Sequence, residues 1–268
     1  MTEPTHAAQS DLAHDETSTT TVRATRSIAD WIAAIALGGA ILAVVIALLS
    51  LTLARYGIID KLDGFRWYVK SNYIGGASGL IGLLALIVAV IRKSSGKLSA
   101  VLAMVIGIAM VAIFYYAVVS PAQSNPNLHD ATTDLDDPPQ FAALPLREDN
   151  LDMFDGDVEA WKSLHREGYP DLQPVIVDKA PGEVIADART LAEERGWEIA
   201  DYDPDGLRLE ATAAAGYIRF FDDVVVEVTP VADGSSRVDM RSVSRVGGSD
   251  LGYNAKRVRE FLDDLSAT

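Results

Sequence analysis

Three long apolar runs dominate the first part of the chain: Ile28 to Ala54, Tyr73 to Ile91 and Leu98 to Val119. None contains Lys, Arg, Glu or His, and the one carboxylate is Asp30, at the mouth of the first run. Crossing a hydrocarbon core of about 30 Å takes about 20 helical residues, and each run has that length. The pattern predicts a transmembrane bundle of three helices, 28–54, 73–91 and 98–119, within a membrane region spanning 28–120. Trp31, Trp67, Tyr68, Tyr73, Tyr115 and Tyr116 fall near run ends, where amphipathic rings favour the headgroup level. Gly75, Gly79 and Gly82 are spaced to let helix backbones approach closely, inside the bundle or, alternatively, across a homodimer. Residues 1–27 are too poor in large apolar side chains to offset their ordering entropy and read as a disordered tail.

After Val119 the periodicity changes. Ser120-Pro121 is expected to end the last span, and 121–127 reads as a short polar linker before a soluble unit over 128–268. The segment from His129 to Phe141 carries two consecutive prolines and is predicted to lack regular structure. Asp157 to Arg166 reads as a short capped helix with Trp161 and Leu164 on one face, closed by Gly168-Tyr169-Pro170, and the run to Pro181 is extended. Pro181 to Arg195 is the clearest soluble helix, with Val184, Ile185, Ala188, Leu191 and Ala192 on one face and Gly196 as its stop. Strands are predicted over Trp197–Tyr202, Leu207–Thr212, Val224–Thr229 and Arg237–Val246, the first two joined by the turn Asp203-Pro204-Asp205-Gly206. A last helix begins at about Asp250, with Ser249 as its cap. The fold class that follows is an N-terminal all-α membrane bundle and a C-terminal α+β domain, a mainly antiparallel sheet covered by helices.

Charge divides along the same line. Residues 1–120 carry 9 Lys+Arg and 7 Asp+Glu, a net of 9 − 7 = +2, and the remainder carries 14 and 31, a net of 14 − 31 = −17. So acidic a domain is a poor partner for nucleic acid or anionic lipid headgroups, which need a basic surface. The absence of cysteine removes disulfides, thiolate metal sites and cysteine nucleophiles. Arg23 and Arg26 precede the first span, Arg92, Lys93 and Lys97 fill the second loop, and no Lys or Arg follows the third span until Arg147. That bias puts the N-terminus and second loop inside, leaving the C-terminal domain outside an inner (cytoplasmic) membrane. Arg55, Lys61, Arg66 and Lys70 in the first loop run against it. Ile58, Ile59, Leu62 and Phe65 recur at helical spacing there, which suggests an interfacial helix.

Several motifs together resemble the family catalogued as domain of unknown function 1499. They are His129-Asp130, Thr132-Thr133-Asp134, Asp137-Pro138-Pro139, Tyr169-Pro170, Gly196-Trp197 and Asp222-Asp223-Val224-Val225. The longest runs from Arg241 through Ser242, Ser244, Arg245, Gly247, Ser249, Asp250, Gly252, Asn254 and Ala255 to Arg257. The resemblance covers about 128–266, departing at the small-residue run Ala213 to Ile218. It implies a domain boundary and an extracytoplasmic location, and no established reaction.

Alternation along the last strand puts Val238, Met240, Ser242, Ser244 and Val246 on one face and Arg241, Val243 and Arg245 on the other. Asp222 extends the face of Val224, Val226 and Val228. If those apolar faces meet the helices, Asp222, Ser242 and Ser244 would line a small polar pocket, and Arg241 and Arg245 would pair with Asp223 or Glu227 behind it. Structural ion pairs explain the same residues more economically. His129, Asp130, Asp134, Asp136 and Asp137 form an acidic cluster whose oxygens suit calcium or magnesium, with Asp134, Asp136 and Asp137 as ligands. The spacing is not that of an EF-hand, and a solvated loop with Asx-turns is the simpler explanation. The candidate ligand-binding set is His129, Asp130, Asp134, Asp137, Asp222, Asp223, Arg241, Ser244, Arg245, Asp250 and Asn254. No nucleophile elbow, Walker motif or dinucleotide fingerprint occurs, and no cofactor is required, though a divalent cation is compatible. Two functions remain. One is a membrane-anchored envelope binding module for a small ligand or another envelope protein, and the other a hydrolase-type or metal-assisted enzyme.

Overall fold

The structure, a computed structural model, describes residues 27–268. The predicted tail and its Arg23 and Arg26 lie outside the described residues. Helices α1 (Ile28–Arg55) and α2 (Lys61–Ile91) form a hairpin, and α3 (Lys97–Phe114) packs against both. All three are long and apolar enough to cross a membrane. Ser27 and Asp30 start α1 as a capping box: the Asp30 amide donates to Ser27 Oγ at 3.2 Å, and the Ser27 amide to Asp30 Oδ2 at 2.8 Å.

What holds the bundle together is small residues. Ala29, Ala33, Ala36, Ala40, Ala43 and Ala47 are buried along α1 at alternating steps of four and three, while Ile35, Val45 and Leu48 face outward. Lipid is as apolar as leucine, so close backbone packing, not burial of large side chains, drives association here. A Cβ on Gly79 would lie 3.0 Å from Gly107 Cα, and one on Gly107 would lie 2.6 Å from the Gly75 carbonyl. Gly75, Gly79 and Gly82 thus pack against α3 of their own chain.

Two boundaries in the membrane region differ from expectation. The third span does not stop at Ser120-Pro121. It continues through a π-helical turn, Tyr115–Val119, into α4 (Ser120–Ser124). The Ser120 amide reaches back five residues to the Tyr115 carbonyl, and this wider turn accommodates a proline that cannot join an ordinary α-helical ladder. The interfacial helix expected around Leu62 and Phe65 is the start of α2 itself. Asp60 caps it through the amides of Leu62 and Asp63, and no proline interrupts the following 31 residues. At about 46 Å, α2 is longer than a bilayer core and its first turns extend beyond it.

The soluble domain is a six-stranded antiparallel sheet with order β1-β6-β5-β4-β3, and β2 pairs with β6 further along the edge that β1 occupies. Its strands are β1 (Asp130–Thr132), β2 (Val175–Val177), β3 (Glu198–Asp203), β4 (Arg208–Ala215), β5 (Phe220–Pro230) and β6 (Ser236–Ser244). Helices α6 (Pro181–Glu194) and α7 (Tyr253–Ser266) cover the face presenting Leu209, Val224, Val226, Val238 and Met240. Ile185, Ala188, Val258, Phe261 and Leu265 complete that core. Helix α5 (Val158–Gly168), capped by Asp157 as expected, lies beside the β1 edge.

Three further expectations are corrected. Residues 130–132 form a strand, because Pro138 and Pro139 lie beyond it and β6 supplies a partner in register. Residues 175–177 are likewise a strand rather than merely extended. Helix α7 begins at Tyr253, not near Asp250, because Leu251 and Gly252 take left-handed backbone. Asp250 rather than Ser249 serves its first turn, accepting from the amides of Gly252 at 2.8 Å and Asn254 at 2.7 Å.

The two regions touch. Arg55 donates to the Tyr217 carbonyl at 2.8 Å and Lys61 to the Ile218 carbonyl at 2.9 Å, so the β4–β5 turn rests on the α1–α2 turn. The linker is packed as well: a Cβ on Gly252 or Gly168 would collide with Asn125 or Pro126.

Candidate functional site

Pairing β1 with β6 sets Asp130 opposite Val243 and Thr132 opposite Arg241, which brings the acidic motif and the last motif together. Arg241 donates to both Asp130 oxygens, at 3.0 and 2.7 Å, and both residues are buried. Burial alone would raise the Asp130 pKa, but the Arg241 guanidinium and the Asn150 amide, 2.7 Å away, hold it below the usual carboxylate range. His129 sits next to this pair. Its Nε2 lies 3.2 Å from Asn150 Oδ1 and its Nδ1 3.3 Å from the Gly248 carbonyl, and whichever nitrogen carries the proton donates to its oxygen. On the other side, Arg241 lies over the Trp161 ring, 5.8 Å from its centroid.

The helix-facing end of the sheet holds a second group. Asn254 Nδ2 donates to Ser244 Oγ at 2.9 Å and to the His129 carbonyl at 3.0 Å, while Ser242 Oγ donates to Asn254 Oδ1 at 2.7 Å. Arg257 adds a bond to Ser242 Oγ at 2.9 Å and pairs with Asp222 at 2.6 Å. The phasing of Ser242, Ser244 and Asp222 onto one face is as read from alternation. Asn254 and Arg257 of α7 fill the space beside Ser242 and Asp222, while Ser244 also lines a cleft with Phe141 and Arg147. Burial raises the Asp250 pKa against the pull of its two amide bonds.

On the opposite face Arg245 pairs with Asp223, its Nη2 at 2.7 Å from Oδ1, and also reaches Thr212. Arg241, expected to pair with Asp223 or Glu227, takes Asp130 instead, and Glu227 pairs with Arg208. The acidic segment separates. Asp134 accepts from the amides of Asp136 and Asp137 at 2.9 and 3.0 Å, an Asx-turn, and from Arg237 at 2.6 Å. Asp136 and Asp137 face solvent. Among the described residues, no group of three or more His, Asp or Glu is placed to hold a metal ion.

Four contributors stand outside the candidate ligand-binding set. Asn150 bridges His129 and Asp130 from a loop. Arg147 fastens that loop to the Ser244 and Gly247 carbonyls at 3.2 and 2.7 Å. Glu210, fully buried, accepts from the amides of Ala142, Ala143 and Leu144 at 2.6, 3.0 and 2.8 Å, which hold its pKa down against burial. His165 Nε2 accepts from the Thr132 amide at 3.1 Å, and desolvation lowers its pKa to about 4, so the ring is neutral. Each bond crosses long stretches of chain, and no local pattern announces it.

Clefts flank this buried network. One of about 480 Å³ is lined by Trp161, Lys162, Asn150 and Arg241 beneath the 138–151 loop, and another of about 340 Å³ by Phe141, Leu146, Arg147 and Arg245. A third, of about 640 Å³, lies between α7 and the end of β4. No curated protein matches the chain in sequence. The family model described as protein of unknown function DUF1499 matches residues 130–265, from the first residue of β1 to the last turn of α7. The chain belongs to the DUF1499 family.

Proposed function

We propose that the chain is a membrane-anchored binding module of the cell envelope, carrying its domain on the extracytoplasmic side of the inner membrane. One observation carries binding over catalysis: the motif residues converge, yet the hydroxyls of Ser242 and Ser244 and the carboxylates of Asp130 and Asp222 are already engaged with neighbouring side chains, while the Tyr169 hydroxyl and His165 Nδ1 are buried without a partner among the described residues. Both serine hydroxyls are bonded within the Asn254–Arg257 cluster, His129 is held between the Asn150 and Gly248 oxygens, and His165 is a neutral acceptor. A hydrolase needs a nucleophile hydrogen-bonded to its base, and the Ser242 and Ser244 hydroxyls bond Asn254 and Arg257 rather than a histidine. The network braces the walls of the clefts beside it, as a preorganised binding site requires. The proposed sidedness draws on Arg92, Lys93 and Lys97 in the second loop. The opposing cations Arg55 and Lys61 are bound to carbonyls of the domain, which accounts for their place on its side of the bilayer.

Native mass spectrometry of the full-length chain, released gently from its own membrane, tests this reading. A reproducible bound mass, small ligand or partner chain, is the expected result. A bare protein across several mild detergents overturns it, as does turnover of a hydrolysable ester or phosphoester that Ser244→Ala abolishes.

A further inference from the structure

The cleft between α7 and β4 has a constitution of its own. Strand β3 pairs with β4 only as far as Thr212, so Ala213 to Ala215 have no strand on that side. Ala214, Ala215 and Gly216 form one wall, and their small side chains leave the space open. Trp197 and Tyr253 contribute aromatic surface, and α7 presents Lys256, then Glu260 and Asp263. Arg195 and Arg257 also line the cleft but are paired with Asp264 and Asp222. Lys256 makes only a loose contact with Glu260 at 3.6 Å, and both are exposed.

Its position relative to the bilayer follows from the spans. Counting about 30 Å of core from the start of α1 ends near Ser50, so Thr52 and Arg55 lie at headgroup depth. Tyr217, next to Gly216, contacts both: its hydroxyl is 3.4 Å from Thr52 Oγ1 and its carbonyl accepts from Arg55. Helix α7 starts beside Gly216 and ends where Thr268 meets Lys179, near the far end of β6. Moving away from the membrane, the cleft therefore offers an ammonium first and carboxylates about 6 and 10 Å further on, four and seven residues along a helix.

We propose that this cleft receives the headgroup of an aminophospholipid from the leaflet on which the domain stands. Lys256 takes the phosphate, and Glu260 and Asp263 take the primary ammonium. A phospholipid pointing out of the bilayer presents its phosphate first and its amine beyond, the same order as the cleft. The occupant opens the Lys256–Glu260 contact and gives each charge a new partner. A primary ammonium donates three hydrogen bonds to the two carboxylates, whereas a quaternary choline donates none and a glycerol headgroup has no positive charge. The domain's acidic excess repels anionic lipid in general, and this zwitterionic pattern is compatible with it. The inference rests on the binding-module reading and names its ligand.

The test is native mass spectrometry of the full-length chain in micelles doped with equal amounts of phosphatidylethanolamine, phosphatidylcholine and phosphatidylglycerol. Retention of the ethanolamine lipid over each of the others by about tenfold is expected, from one or two charge-assisted hydrogen bonds. Lys256→Glu and Asp263→Lys, both at exposed positions, should each abolish the preference, and Ala214→Phe should fill the cleft and lower retention. Asp136→Asn, on the far edge of the sheet, should change nothing. Equal retention of the three lipids, or a preference that survives both charge reversals, overturns the proposal by showing annular lipid only. A different reproducible ligand overturns this proposal and leaves the binding-module reading standing, whereas a bare protein overturns both.

Discussion

At the residue scale, His165 is the sharpest case of burial setting chemistry. Its ring lies between Trp161 and Tyr169, with centroids 5.9 and 5.4 Å away, and its Nε2 accepts from a backbone amide of β1. Desolvation lowers its pKa from 6.5 to about 4 despite the attraction of nearby Asp130. In the unfolded chain the ring binds a proton as pH falls through 6.5, and in the folded chain it does so only near 4. The unfolded state holds more protons between those values, so this residue's contribution to stability is lost as pH falls across that window. The loss is about 3 kcal/mol in all. Urea titrations of the detergent-solubilised full chain and its His165→Gln variant should show it as a difference: the wild type loses its advantage between pH 6.5 and 4. A constant gap across that range would show that His165 titrates normally. The opposite tendency of Asp250, whose pKa is raised, is common to both chains and cancels.

At the element scale, the membrane helices associate through what they lack. Gly107 meets Gly75 and Gly79 so closely that any side chain forces α2 and α3 apart, whereas Gly38 has nothing within 4 Å of its Cβ position. Gly107→Leu should therefore destabilise the bundle by about 1–3 kcal/mol through overpacking. Gly38→Leu should be neutral, or slightly stabilising through helix propensity. Thermal unfolding in detergent distinguishes them, and equal effects would contradict the seam. The glycine spacing on α2 was readable beforehand. The four-three alanine repeat of α1 carries no such signal, because the residues around it are evenly hydrophobic. Strand β1 could not be read that way, because three residues beside a diproline carry no periodicity and acquire extended structure only from β6.

At the scale of the whole molecule, three spans with short turns place the first loop and the C-terminal domain on one side of the bilayer and the second loop on the other. Which side is which can be read directly, since the chain has no cysteine and any introduced thiol is unique. A membrane-impermeant maleimide should label Asp205→Cys in intact cells and Ser95→Cys only after permeabilisation. The reverse pattern would put the domain in the cytoplasm and overturn the proposed location. The bonds of Arg55 and Lys61 to the β4–β5 turn fix the domain above α1 and α2 rather than leaving it tethered by the linker alone.

What the sequence by itself determined was whatever depends on neighbours along the chain. Span number, helix α6, the cap of α5 and the facing of β5 and β6 all follow from length, periodicity and capping chemistry, which act within a few residues. Only the tertiary structure decided what depends on partners far apart. Arg241 could have met Asp223, Glu227 or Asp130 on charge alone. The β1–β6 register chose Asp130, 111 residues away, because it buries that pair with Asn150 and His129 already in place. The carboxylate of Asp134 turns to Arg237 and to the amides of Asp136 and Asp137, whose own carboxylates are left in water. The cleft beside α7, too, comes from where β3 ends and α7 begins, since empty space belongs to packed elements and not to any stretch of chain.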